Sequence, residues 1–200
     1  MLTKAMKFLG LVSITSVLAS AVVLTAIHQL VWRYQPLNEP TEFVYKVYGM
    51  MGSCSGVMIA PQRMLTAAHC ANLMDLTVNG KPAKTLKIEP SKDLLLLEVA
   101  LDCPCVPVAD TEGTNVTAVG YPLGLVKATA VGILRGYTFD PILPEFYEFA
   151  VYQSSVEGGF SGGGVFTFRD GRWELVGIVS AGSKTLMLAP TLKMVKEFLK

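Results

Sequence analysis

The pattern of apolar and polar positions after residue 42 predicts a series of short strands. Apolar, aromatic and β-branched residues fall into eleven runs of four to seven residues, separated by Gly, Pro, Asn and Asp. The runs are 43–48, 54–59, 64–67, 85–88, 94–99, 116–119, 129–134, 147–153, 164–168, 173–179 and 185–188. Many short strands at close spacing predict an all-β barrel or sandwich.

The last ten residues are different, because their apolar positions have helical spacing. Leu192, Val195, Phe198 and Leu199 fall on one face, and Thr191 is suited to cap the first turn. We therefore expect a short C-terminal helix.

The N-terminal segment has a third pattern. Residues 8–32 form an apolar stretch of 25 residues without a formal charge, after Lys4 and Lys7. About 20 residues of helix cross a bilayer, so this stretch predicts a transmembrane signal anchor. The lysines before it and Arg33 after it favour a cytoplasmic N-terminus, with the rest of the chain on the exported, periplasmic or extracellular side.

A cleavable signal peptide is the alternative for this segment, with Ala19-Ser20-Ala21 as the cleavage pattern. The protein would then be secreted. Under either alternative we expect a signal anchor or signal peptide over 1–34, a linker over 35–42 and one exported domain over 43–200.

The composition and net charge exclude some classes of protein. Hydrophobic residues make up 51% of the 200 residues and charged residues only 16%, which excludes an intrinsically disordered chain. The net charge of +1 provides no basic surface for nucleic acid. The two histidines are His28 and His69, and His28 lies in the apolar N-terminal stretch. Any imidazole chemistry therefore depends on His69.

A glycine-rich loop suggests a nucleophile. Ser161 lies within 157–164, where glycines leave the hydroxyl accessible and let backbone N–H groups face a developing oxyanion. The loop also matches G-x-S-x-G, but that elbow needs a later histidine, and none follows Ser161. The base must be upstream, at His69. Among five intervening aspartates, Asp93 stands out because it precedes four leucines that predict a buried strand.

These motifs, in the order His, Asp, Ser, resemble the trypsin/chymotrypsin-like serine proteases. The resemblance is carried by LTAAHC at 65–70, DLLLL at 93–97, GFSGG at 159–163 and GIVSAG at 177–182. The segments 106–110 and 119–124, VPVAD and VGYPLG, are similar to the HtrA/Deg branch, here expected without its PDZ domain.

The resemblance implies two six-stranded antiparallel β-barrels with a C-terminal helix, and a site in the cleft between the barrels. Ser161 would be the nucleophile, His69 the general base and Asp93 the residue that orients it. The backbone N–H groups of Gly159 and Ser161 would form the oxyanion hole.

The resemblance also implies where substrate binds. Ser180, Ala181 and Gly182 would form the edge that pairs with the substrate backbone, and Ser155 would lie at the base of the primary specificity pocket. A serine there cannot pair with a buried cation. We therefore expect cleavage after small to medium apolar residues such as Val, Leu, Ala or Met, and poor cleavage after Arg or Lys.

Two further features concern how the site is held. Trypsin-like enzymes have an aspartate before the nucleophile that pairs with a newly cut N-terminus. Here Phe160 stands in its place, so the loop must be held another way.

Four cysteines allow three pairings. The resemblance implies a Cys54–Cys70 disulfide, which requires an oxidising compartment. The state of Cys103 and Cys105 stays open.

The sequence thus predicts a serine endopeptidase that hydrolyses polypeptides through a His-Asp-Ser triad and an acyl-enzyme intermediate. We expect no cofactor, no metal and no nucleic-acid partner, and we expect membrane contact through the N-terminal helix. A catalytically inactive protease-fold binding module anchored at a membrane is the alternative. A membrane-anchored scaffold protein is a third hypothesis.

Overall fold

The computed structural model describes residues 39–102, 104–138 and 145–200. The expected signal anchor, its alternative cleavage site, the first part of the linker and Cys103 lie outside the described residues. Within the described part of the chain, no helix is long and apolar enough to cross a membrane. Glu39–Lys200 forms one compact unit.

The first half of this unit is a closed barrel of six antiparallel strands, joined in the order β1-β2-β3-β6-β5-β4. Its centre is filled by apolar side chains that alternate along the strands, such as Val57, Leu65, Leu95 and Leu97, all without solvent exposure. The strands are β1 (Val44–Gly49), β2 (Gly52–Ala60), β3 (Arg63–Thr66), β4 (Thr77–Val78), β5 (Lys81–Glu89) and β6 (Leu94–Val99).

The second half is one antiparallel sheet of seven strands, in the order β11-β10-β7-β8-β9-β13-β12. The strands are β7 (Asn115–Gly120), β8 (Ala128–Tyr137), β9 (Phe146–Gln153), β10 (Gly164–Arg169), β11 (Arg172–Ile178), β12 (Ala181–Gly182) and β13 (Leu186–Pro190).

The expectation of a second closed six-stranded barrel is therefore wrong: in the described residues this sheet stays open between β11 and β12 and forms a half-barrel. The backbone of Leu175 in β11 is engaged on the edge away from β10. Its N–H donates to the carbonyl of Pro107 at 2.9 Å, and its carbonyl accepts from the N–H of Ala109 at 2.8 Å. Because these groups bond to the segment 107–109, they are not free to pair with β12 and close the sheet.

The two halves pack through a shared apolar core. Phe166 of β10 is fully buried and belongs to the same cluster as the centre of the first barrel. Its ring lies 6.3 Å from that of Phe43, which precedes β1. The two halves are thereby held together by a common core.

The C-terminal helix α1 (Leu192–Phe198) confirms the prediction from the spacing. The Thr191 hydroxyl accepts from the N–H of Met194 at 3.3 Å and caps the first turn. Leu192, Val195 and Phe198 are buried, as the apolar face requires.

Candidate active site

His69 is placed by a 3-10 helical turn, Ala68–Leu73, that follows β3 directly. The next residue, Cys70, is joined to Cys54 of β2 by a disulfide, with the two Cα atoms 6.2 Å apart. This bond confirms the predicted pairing. It fixes the turn to the barrel, while 45% of the imidazole remains exposed to solvent.

The register between β3 and β6 places Asp93 next to His69. Thr66 at the end of β3 pairs with Leu95 at the start of β6, so the residues just beyond both ends are neighbours. Asp93 has a left-handed backbone, with φ of +51°, and its carboxylate faces the imidazole. The Nδ1 atom of His69 lies 2.9 and 3.0 Å from the two carboxylate oxygens, and the His69 N–H donates to Oδ1 at 2.9 Å.

Ser180 also bonds to this carboxylate. Its hydroxyl donates a short hydrogen bond to Oδ2 of Asp93. Sequence reasoning assigned Ser180 only to substrate binding, so its contact with Asp93 was missed. Two donors from His69, on the turn after β3, and one from Ser180, between β11 and β12, therefore fix a carboxylate of which only 11% is exposed.

The electrostatics of the pair suit a base and its orienting partner. The hydrogen bond to Asp93 raises the pKa of His69 above its usual value, against the effect of partial burial. Burial acts to raise the pKa of Asp93, but the hydrogen bonds from His69 and Ser180 outweigh it and hold the pKa below the usual value. Asp93 is thus ionised near neutral pH and stabilises an imidazolium at His69.

Ser161 is brought to the pair by the glycine-rich loop of the second half. Its carbonyl accepts from the N–H of Ser55 in β2 at 2.8 Å. At the next residue, a Cβ atom on Gly162 would collide with Thr66 Oγ1 and lie 3.1 Å from the nitrogen of Ala67. Only glycine allows this approach, which sets Ser161 against the end of β3, beside the turn that carries His69.

The structure has no hydrogen bond between the Ser161 hydroxyl and the outer nitrogen of His69 among the described residues. Catalytic hydrogen bonds of this kind are often long without substrate and tighten when it binds.

The predicted oxyanion hole lies in a tight turn. The N–H of Phe160 donates to the carbonyl of Glu157 at 3.0 Å, and Gly159 has φ of +93°. A positive φ at the third residue is what a type II turn requires. A Cβ atom on Gly159 would collide with the carbonyl of Tyr121 and lie 2.9 Å from the nitrogen of Leu123. The turn is therefore pressed against the segment 121–124.

Ser55 holds this turn in place, and sequence reasoning missed it. Its side chain is fully buried. The hydroxyl donates to the carbonyl of Gly159 at 2.7 Å and accepts from the N–H of Tyr121 at 2.9 Å. The one available signal was a serine inside the otherwise apolar run at 54–59.

The site offers no thiolate ligands for a metal. Cys54, His69 and Cys70 place ligand-type atoms within 4.8 Å of one another. Both sulfur atoms belong to the disulfide, so they cannot bind a metal as thiolates.

Comparison of the sequence with family models gives one family, the trypsin-like peptidase domain, which matches residues 54–178. The chain belongs to the trypsin-like peptidase family. The predicted class, a trypsin-like serine endopeptidase, is thereby confirmed. A search of curated protein sequences gives no match.

Solved structures of peptidases share the fold. An inactive serine-to-alanine mutant of Rv3671c from M. tuberculosis is 26% identical, with a TM-score of 0.64, over 82% of this chain and 90% of that one. The HtrA-type protease AlgW with a tripeptide is 20% identical, with a TM-score of 0.65, over 80% and 59%. The serine endoprotease from Yersinia pestis is 18% identical, with a TM-score of 0.62, over 80% and 62%. The likeness to the last two is one of fold.

Phe160 immediately precedes Ser161, and its surroundings show how the loop is held without an aspartate at this position. Phe160 is fully buried and packs on β7, where a Cβ atom on Gly120 would lie 2.6 Å from Cδ1 of the ring. The loop is thus held by apolar packing at Phe160 and by the Ser55 hydroxyl at Gly159.

The expected substrate-binding residues lie on two segments beside the nucleophile loop. Ala181 and Gly182 form β12, an exposed strand at one end of the seven-stranded sheet, paired with β13 through Leu188 and Met187. The Ser155 hydroxyl donates to the exposed carboxylate of Glu157 at 2.9 Å. Ala181 and Gly182 are exposed, and Ser155 is partly buried.

Proposed function

We propose that this peptidase cuts polypeptides through a triad of His69, Asp93 and Ser161. The observation that carries the proposal is the approach of His69 and Asp93, with Nδ1 2.9 Å from the carboxylate, at the point where Gly162 brings the Ser161 loop to the end of β3. A base held in one tautomer and a serine in an open glycine loop are what nucleophilic attack requires.

In the proposed reaction, His69 removes the hydroxyl proton of Ser161 as its oxygen attacks the scissile carbonyl. The oxyanion is stabilised by the N–H groups of Gly159 and Ser161. The resulting imidazolium, stabilised by Asp93, gives the proton to the leaving amine, and an acyl-enzyme forms. Water activated by His69 then attacks the ester, releasing the acid and restoring Ser161.

Substitution of Ser161 tests this assignment. Ser161→Ala should lower turnover of a peptide library by about four to six orders of magnitude and abolish labelling by a fluorophosphonate probe. Ser91→Ala, which removes an exposed hydroxyl outside the site, should still label, and both variants should unfold cooperatively. A wild-type protein that folds but neither labels nor cleaves would contradict the proposal and favour the inactive binding module.

We also propose that residues 1–34 attach the domain over 43–200 to a membrane, on its exported side, through a linker over 35–42. Two observations support this: the uncharged stretch over 8–32 is long enough to span a bilayer, and the Cys54–Cys70 disulfide needs an oxidising compartment. The polypeptide substrate would then be an exported protein.

A further inference from the structure

The most exposed aliphatic side chains of the described residues lie on three segments of the chain. Their exposed fractions are 58–74%, whereas the other exposed aliphatic side chains reach at most 44%. Apolar surface concentrated in this way is typical of an interaction site. We call these six residues the apolar patch: Met50, Met51, Met74, Leu123, Leu125 and Val126.

The first two of these segments are joined by backbone hydrogen bonds. The N–H of Met50, in the turn between β1 and β2, donates to the carbonyl of Met74 at 3.3 Å. The N–H of Met51 donates to the carbonyl of Leu73 at 3.2 Å. The three exposed methionines therefore lie side by side.

The third segment, the loop 122–126, lies against the same hairpin. A Cβ atom on Gly124 would collide with Oγ of Ser53, which is in β2. The Lys46 Nζ atom of β1 donates to the carbonyl of Gly124 at 2.5 Å. The three segments of the apolar patch are thus adjacent in the fold, although they are far apart in the sequence.

Lysine and tyrosine side chains border the apolar patch. Lys46 Nζ lies 4.3 Å from the ring centre of Tyr48, and Lys127 Nζ lies 5.6 Å from that of Tyr121. Side chains with an apolar body and a polar end suit the boundary between lipid headgroups and acyl chains.

This border also carries carboxylates. Glu42 and Asp75 are exposed, and Asp75 directly follows Met74 of the patch. Because two carboxylates balance the two lysines, binding to a surface would depend on the apolar side chains and would not require anionic lipid.

The chain enters the compact unit at the edge of the apolar patch. Lys127, directly after Val126, donates from Nζ to the carbonyl of Thr41, the third residue of the unit. The apolar stretch that predicts a membrane span ends at Trp32, and only residues 33–38 lie between it and the unit. Six residues span at most about 20–22 Å, so a bilayer crossed by residues 8–32 lies within reach of the patch.

We propose that the apolar patch inserts into the headgroup region of the bilayer to which residues 1–34 attach the domain. This inference rests on the proposed membrane attachment and states which face of the domain meets the lipid. Shallow apolar contacts hold a protein only weakly, so the patch orients the domain, while the N-terminal segment retains it.

The proposed orientation defines a class of substrate. The N–H of Leu123 donates to the carbonyl of Gly158 at 2.5 Å, so the apolar patch adjoins the turn that carries the proposed oxyanion hole. The site then lies at the bilayer surface, and its substrates are polypeptide segments close to that surface.

A tryptophan in the patch tests this contact in the full chain. Leu125→Trp protein is reconstituted in vesicles of neutral lipid, with and without bromine on the acyl chains, and the emission of the unsubstituted protein is subtracted. The added emission should fall about twofold or more in brominated vesicles, because apolar groups at the interface lie about 5–10 Å into the boundary between headgroups and acyl chains. Ile88→Trp, at an exposed position on β5 outside the patch, should keep its emission.

A charge beside the reporter gives a second measurement. Val126→Glu, combined with Leu125→Trp, should restore the emission in brominated vesicles, because an unpaired carboxylate is costly in an apolar environment. Ile133→Glu, at another exposed aliphatic position, should leave the quenching unchanged.

Carbonate washing of the same vesicles separates this inference from the membrane attachment. Protein that stays with the vesicles, but whose Leu125→Trp emission is not quenched, would overturn the inference and leave the attachment intact. Protein that the wash removes would contradict the attachment and, with it, the inference. If the patch binds polypeptide instead, Leu125→Ser/Val126→Ser would raise KM for a peptide in detergent, and quenching by brominated lipid would be absent.

Discussion

At the scale of single residues, the most informative side chain is Ser55, because it lies on the first barrel but bonds to the loop of the second half. Ser55→Ala would leave the Gly159 carbonyl and the Tyr121 N–H without their buried partner. An unmatched buried polar group costs about 1–3 kcal/mol. We expect kcat to fall about tenfold to a hundredfold while KM changes little, because the oxyanion turn is displaced and the substrate edge at β12 is not.

Steady-state kinetics and the rate of fluorophosphonate labelling measure this effect. Ser91→Ala, which removes an exposed hydroxyl bonded only to Glu89, serves as the control. An unchanged kcat in folded Ser55→Ala protein would mean that Phe160 packing alone holds the turn.

A second prediction at this scale concerns pH. The hydrogen bond that His69 donates to Asp93 raises the pKa of His69, and a general base works only when neutral. Activity should therefore be lost as the pH falls through a midpoint above 6.5, the usual value for histidine.

Asp93→Asn removes the charge that raises this pKa. The acid limb of kcat/KM should move to lower pH, and the plateau should fall by about four orders of magnitude because the tautomer is no longer fixed. The measurement is a pH profile of kcat/KM for both proteins. A midpoint that does not move with Asp93→Asn would show that the limb belongs to another group.

At the scale of elements, the disulfide ties β2 to the turn that carries His69. It closes a loop of 16 residues. The chain-entropy account gives about 3 kcal/mol for such a loop. We expect the double variant Cys54→Ala/Cys70→Ala to lose about this much free energy of unfolding in urea, with activity reduced in the fraction that stays folded. A loss below about 0.5 kcal/mol would mean that packing alone fixes the turn.

The sequence predicted a strand wherever the apolar run was long enough to show a strand-like pattern. The eleven runs correspond to eleven of the thirteen strands found in the described residues; the two that were missed, β4 and β12, have two residues each and so show no alternation. The open edge of the second sheet could not be predicted, because it depends on the pairing of Leu175 with the distant segment 107–109.

The residues of the candidate site also divide into those that the sequence indicated and those that it did not. Motif order alone indicated His69, Asp93 and Ser161, since each lies in a local pattern that is visible in the sequence. Ser55 lies in no such motif. Its role depends on a partner in another segment, because Gly159 lies 104 positions away from it.

At the scale of the whole molecule, we expect the N-terminal segment to be dispensable for catalysis. The compact unit begins at Glu39 and contains every proposed catalytic residue. A chain without residues 1–34 should keep kcat/KM within about twofold and leave the membrane fraction, whereas the full chain should stay with membranes after carbonate washing. N-terminal sequencing distinguishes the anchor from a signal peptide: a mature protein that begins at Val22 would establish cleavage.

The apolar anchoring of Phe160 has a consequence for when this peptidase becomes active. The loop is held by the buried Phe160 ring and by the Ser55 hydroxyl. It therefore does not need an α-amino group released by cleavage of the chain to take up its shape. We therefore expect the protein to label with a fluorophosphonate as soon as it has folded, without a latent precursor of that kind. Control in the cell would then depend on how much of the protein is made and on which polypeptides reach the site.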